Sequence, residues 1–160
     1  MLRALRVDAG GRVFALLGRG QALAQAALGT WKAHAVFSPL FAVSGPEPLS
    51  TRLTQGRVDV LVRTAALYAR KVAACREGLL TLRHVLLVDE AGCERVDPGA
   101  LRRIPGAVDL AAALADQPAT FDVDATEDDE PARCTSRRGP PCGPRGRCTC
   151  TCTSPSSCIT

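Results

Sequence analysis

Lysine is almost absent from this 160-residue sequence: Lys32 and Lys71 stand against eighteen arginines, and alanine is abundant. That bias suggests a gene rich in G and C. No apolar run is long enough to span a membrane, so a membrane partner is not expected. The start, "MLRALRVDAGGRVF", lacks the basic flank, apolar stretch and small-residue cleavage site of a signal peptide, which makes the cytoplasm the default location. Acids are missing from one region altogether. All sixteen lie before Pro131, and residues 133–160 hold five arginines, six of the eight cysteines and no acid. The overall charge of +4 therefore belongs to the tail. Residues 1–132 carry fifteen basic against sixteen acidic residues, a net of −1. A body so close to neutral does not suggest nucleic-acid binding.

What is present reads as globular, with 46% hydrophobic and 22% charged residues in a chain long enough for one domain with a core. "RVFALL" (12–17), "AVFSPLF" (35–41), "VDVLV" (58–62) and "HVLLV" (84–88) are short apolar runs that predict strands. Helices are expected between and after them: residues 21–35, with Leu23, Ala27, Leu28 and Trp31 at helical spacing, then 45–56, 65–79 and 108–117. Strand and helix alternating in this way predict an α/β fold, a mostly parallel sheet with helices on both faces. The near-continuous apolar strands agree, because parallel strands are buried on both sides. "FDVDATEDDEPA" (121–132) reads as a solvated acidic loop, and no internal repeat is visible.

Three chemical motifs are incomplete. "GRGQAL" (18–23) follows the first strand and begins like a dinucleotide fingerprint, but Leu23 stands at the third glycine position and no acid follows the second strand. A small Rossmann-like nucleotide-binding module stays as one alternative, against a plain strand-to-helix turn. His34 and His84 have no metal-ligand spacing, and the acids 122–130 match no EF-hand. Cys75 and Cys93 read as isolated intracellular thiols. "CTCTC" (148–152) makes a cysteine-rich metal- or thiol-binding protein the other alternative. No C-x-x-C pair occurs, however, and without a secretion signal a disulfide framework is not expected. The competing expectation is a disordered Pro/Gly/Ser/Arg tail.

The order "GGRVFALLGRGQALAQAALGTWKAHAVFSPLFAVSGPEPLSTRL", "QGRVDVLVRTAALYARKV" and "LRHVLLVDEAG" resembles the N-terminal part of AMP-forming acetyl-CoA synthetases, in the adenylate-forming acyl-CoA synthetase family. The resemblance covers roughly residues 8–132. It implies a parent reaction in which acetate or another short acid attacks the α-phosphate of ATP, pyrophosphate leaves, and coenzyme A (CoA) takes the acyl group. It also implies Mg2+, which offsets phosphate charge. The family places basic residues in a Y-R-R-K stretch near the CoA phosphates. Here Tyr68, Arg70 and Lys71 match and Ala69 replaces one arginine, so Arg70 and Lys71 are the expected CoA-binding residues. An exposed basic helix face is the competing reading.

The resemblance also implies a phosphate-binding T-S-G-T-T-G-x-P-K-G segment directly after "DDEPA", at about residues 136–146. The chain reads "SRRGPPCGPRG" there. One synonymous encoding of the tail, read two bases later, gives L-H-F-T-S-G-T-T-V-R-P-K-G-A-V-H-V-H. In each hidden codon the last two bases are set by the visible residue, and only the first is free. "CTCTCT" is what alternating His and Val codons yield when misread. One departure stands: Val replaces the glycine after T-T. The expectation is an incomplete adenylate-forming domain over 1–132 and an out-of-frame, disordered tail over 133–160, with no catalytic residue in place. Neither ATP nor CoA is then expected to bind this chain tightly.

Overall fold

The structure, a computed structural model, describes residues 1–40, 45–89, 95–123, 125 and 132. Cys93, most of the acidic loop, the 136–146 position and the cysteine tail lie outside the described residues.

Five strands form one parallel sheet in the order β2-β1-β3-β4-β5. They are β1 (Arg12–Leu16), β2 (Val36–Pro39), β3 (Val60–Thr64), β4 (His84–Val88) and β5 (Ala107–Asp109). The connections are α1 (Gln21–Lys32), α2 (Pro46–Gln55), α3 (Ala65–Lys71) followed by a 3-10 segment (Ala73–Gly78), and α4 (Pro98–Arg103); α5 (Leu110–Ala115) follows the last strand. The sequence pattern thus gives the right fold class.

The strands lack polar alternation because both faces are covered. Val13, Ala15, Val60, Val62 and Leu86 pack on one side with Ala22 of α1 and Leu110 of α5. Phe14, Leu16, Leu61, Val85 and Leu87 pack on the other with Leu49 and Leu53 of α2, Tyr68 of α3 and Ile104 beyond α4. The period of two along each strand sends neighbours to opposite cores. Both sheet edges are short, four residues at β2 and three at β5, which limits edge-to-edge pairing. No helix among the described residues is long and apolar enough to cross a membrane.

Four local expectations are corrected. The inward face of α1 is Ala22 and Thr30 with Leu23, Ala26 and Ala27 packed beside them, while Leu28 and Trp31 are 56% and 41% exposed. The helix expected over 65–79 divides at Val72, which is drawn fully into the core at φ −116° and starts the 3-10 segment. The segment 108–117 contains the end of β5 before its helix begins. Finally, α4 was not anticipated, although Asp97 caps it and Pro98 opens it, the usual order at a helix start.

Candidate functional site

The two edges of the sheet differ. At the amino edge Asp59 ties strands together: one carboxylate oxygen accepts from the Arg12 N–H at 2.8 Å, and the other lies 3.6 Å from the Arg83 guanidinium. The carboxyl edge holds the topological switch. From β1 the chain leaves to α1 on one face, whereas from β3 it leaves to α3 on the other. Loops that diverge in this way open a crevice at the strand ends, where ligands of open α/β sheets bind.

The half-fingerprint lies at that switch. Gly18 and Gly20 connect β1 to α1, and a Cβ at either would meet nothing within 4 Å. Gly20 has φ 176°, extended backbone open to any residue. Leu23, at the third glycine position, packs against the core. These residues make a strand-to-helix turn, and no cradle requires their glycines. Across the switch, Thr64 ends β3 and its hydroxyl caps α3 by accepting from the Leu67 N–H at 3.4 Å.

The stretch Tyr68–Lys71 is split by the helix. Tyr68 is buried, Ala69 and Arg70 are exposed, and Lys71 is half-buried. Arg70 and Lys71 occupy the last turn of α3, about 9 Å along the axis from its start at the carboxyl edge. Cations are favoured at a helix C-terminus. No group of three His, Cys, Asp or Glu that could hold a metal occurs among the described residues. Cys75 is a free thiol donating to the Val72 carbonyl at 3.3 Å.

One charged residue escaped the sequence reading. Arg63 lies inside β3 and is fully buried. Its register partners are Leu16 and Leu87, and none of its three guanidinium nitrogens has a hydrogen-bond partner among the described residues. The Tyr68 ring centre lies 5.7 Å from its Cζ. Burial lowers the Arg63 pKa to about 10, against the smaller opposing influences of Tyr68 and Cys75. It therefore stays protonated at neutral pH. Burial also raises the Tyr68 pKa, while Arg76 and Arg63 pull it the other way. Arg76 is anchored by donating to the Leu79 and Leu82 carbonyls at 3.2 and 2.9 Å. An arginine directly after an apolar run reads as a strand end, which is why β3 was expected to stop at Val62. The signal available was its period-two relation to Leu61.

At the outer edge of the sheet, the Ala132 carbonyl accepts from Trp31 Nε1 at 2.8 Å and from the Phe37 N–H at 3.2 Å. The last residue before the change in composition is thereby held against β2.

No protein-family model matches this chain, and no curated protein matches it. Solved structures do. An anthranilate CoA ligase solved with anthranoyl-AMP is 17% identical, with a TM-score of 0.72 over 86% of this chain and 24% of its own. An acyl-CoA synthetase from Brucella canis is 21% identical, with a TM-score of 0.69 over 88% of this chain and 24% of its own. MatB from Rhodopseudomonas palustris, solved with ATP, is 19% identical, with a TM-score of 0.64 over 83% of this chain and 23% of its own. The chain spans about a quarter of the length of these structures, and over that span it has the fold of adenylate-forming acyl-CoA ligases.

Proposed function

We propose that residues 1–132 are the N-terminal part of an AMP-forming ligase joining a short-chain acid, acetate in the first instance, to CoA. The observation that carries this reading is the shared fold with acyl-CoA ligases over most of this chain and a quarter of theirs. The ordered sequence segments along 8–132 support it, as does the attachment of Ala132 to β2. That contact brings the chain to the sheet immediately before the segment whose alternative frame reads T-S-G-T-T.

In this reading residues 133–160 are out of frame and their cysteines are no selected metal site. ATP, Mg2+ and CoA are the parent enzyme's ligands. Arg70 and Lys71 are held for the CoA phosphates, by point charge from Lys and a planar fork from Arg. The 160 residues contain no in-frame phosphate-loop segment, so the purified chain is expected to be inactive in the cytoplasm or out of it.

Resequencing codons 125–175 from genomic DNA tests the frame. A one-base change that opens a frame through T-S-G-T-T supports the reading, and its absence from both alternative frames removes it. ATP–pyrophosphate exchange above background by the purified chain would contradict the expected inactivity. For the CoA contact, titration against Arg70→Ala is the check: unchanged weak binding removes Arg70 from the site.

A further inference from the structure

Arg63 carries a positive charge in a place where nothing described neutralises it. Buried charges are ordinarily paired and hydrogen-bonded, because desolvation is costly and proteins seldom leave it uncompensated. Here the guanidinium is fully buried, its three nitrogens lack partners, and its neighbours in the sheet are Leu16 and Leu87. A second cation, Arg76, acts on the same tyrosine. Arg76 donates both terminal nitrogens to backbone carbonyls and its side chain also bonds Tyr68, while its buried Nε has no partner among the described residues. The Tyr68 ring offers Arg63 a cation–π contact, which offsets only part of the lost hydration. Burial keeps the phenol protonated, so it adds no negative charge. Two arginines that converge on one tyrosine, with unpaired N–H groups and no carboxylate bonded to them among the described residues, make a buried cationic cluster.

We propose that Arg63 and Arg76, with Tyr68 between them, form an oxyanion site that takes a phosphate or carboxylate group. A planar guanidinium binds two oxygens of either group side by side. The Arg76 Nε–H supplies a further donor from a side chain already fixed by two backbone bonds. The 3-10 segment brings Cys75 beside the guanidinium and also carries Arg76, and its poorer hydrogen-bond geometry makes it the element that yields as the anion enters. The site lies on the inward side of α3, away from exposed Arg70, and does not depend on the ligase reading.

The test is thermal unfolding and calorimetric titration of the full chain with sodium phosphate, with sodium acetate as a separate arm, against sodium chloride at matched ionic strength. Phosphate also stabilises proteins by exclusion from their surface, so the variants decide. A response to phosphate assigns a phosphate site and a response to acetate a carboxylate site; either supports the proposal. Arg63→Met should abolish the response, and Arg76→Gln should weaken binding about ten-fold. Arg103→Ala, at the exposed end of α4, should leave it unchanged. If Arg63→Met does not fold, as circular dichroism will show, the Arg76→Gln titration decides. Equal responses in wild type and the folded variants overturn the proposal, as does no response of the wild type to either anion.

Discussion

Trp31 and Ala132 are 101 residues apart in sequence and joined by one hydrogen bond, indole Nε1 to carbonyl oxygen at 2.8 Å. The same carbonyl accepts from Phe37 in β2, and the Trp31 and Phe37 rings meet edge to face at 6.1 Å. Trp31→Phe keeps a ring but removes the donor. It should cost about 0.5–1 kcal/mol in a urea melt, the range of one hydrogen bond near solvent. Hydrogen exchange at the Phe37 amide should also quicken. Unchanged exchange there would show that the Ala132 contact does not hold the edge.

Asp109 joins three backbone donors. One oxygen accepts from Ala111 and Ala112 at the start of α5, and the other accepts from the Val96 N–H at 3.2 Å. Asp109→Ala uncaps the helix and leaves a buried N–H unpaired, so it should destabilise by about 1–3 kcal/mol. Asp109→Asn keeps acceptor oxygen and should lose much less. Equal losses in the two variants would mean that the bonds are not the source of the stability.

Gly106 has φ +73°, and a Cβ there would lie 2.7 Å from the Arg83 carbonyl oxygen. Both the backbone conformation and the contact oppose a side chain, because the obstacle is main chain that cannot rotate away. Gly106→Ala should cost at least about 2 kcal/mol, read from the urea midpoint. A loss under half that would show that β5 can shift on β4.

Tyr68 is the one tyrosine of the chain, so phenolate absorbance reports it alone. Its pKa is raised from the ordinary 10.0 by burial, and the absorbance midpoint should fall to the ordinary value in urea. Below pH 10 neither state ionises and the group's contribution to stability is constant. Above it the unfolded phenol loses its proton first, so stability falls as pH rises toward the folded-state pKa. Arg63 acts in the opposite sense. Burial lowers its folded pKa to about 10, well below the ordinary arginine value, so its contribution grows as pH rises above about 10 and is lost as pH falls back through it. Arg63→Met should therefore steepen the alkaline loss of stability. An unchanged slope would separate Arg63 from Tyr68.

The fold class was legible because both strand faces are buried, and apolar runs such as "HVLLV" then mark strands without alternation; β4 has the expected bounds, 84–88. β5 was not legible, since three residues are too few to show a period. α4 was hidden by its opening Pro-Gly, which also reads as a turn. Half of the α1 face was misjudged: Leu23 and Ala27 pack inward as expected, but Leu28 and Trp31 point outward and alanines fill most of the rest of the core-facing side. At the candidate site, the basic stretch at Arg70 and Lys71 could be read from residue type, but the unpaired state of Arg63 could not. That state depends on which residues flank β3 in space, and the strand order supplies them.

The strand order has a consequence for synthesis. Among the described residues the last strand ends at Asp109, and every strand pairing there is made by residues up to that point. Chains emerge from the ribosome at about 5–20 residues per second, far more slowly than local helices and hairpins form. The five strands are therefore available to assemble while later codons are still being translated. A change of frame beyond Ala132 would come after all five of these strands have been translated, so the altered residues would be the last to emerge.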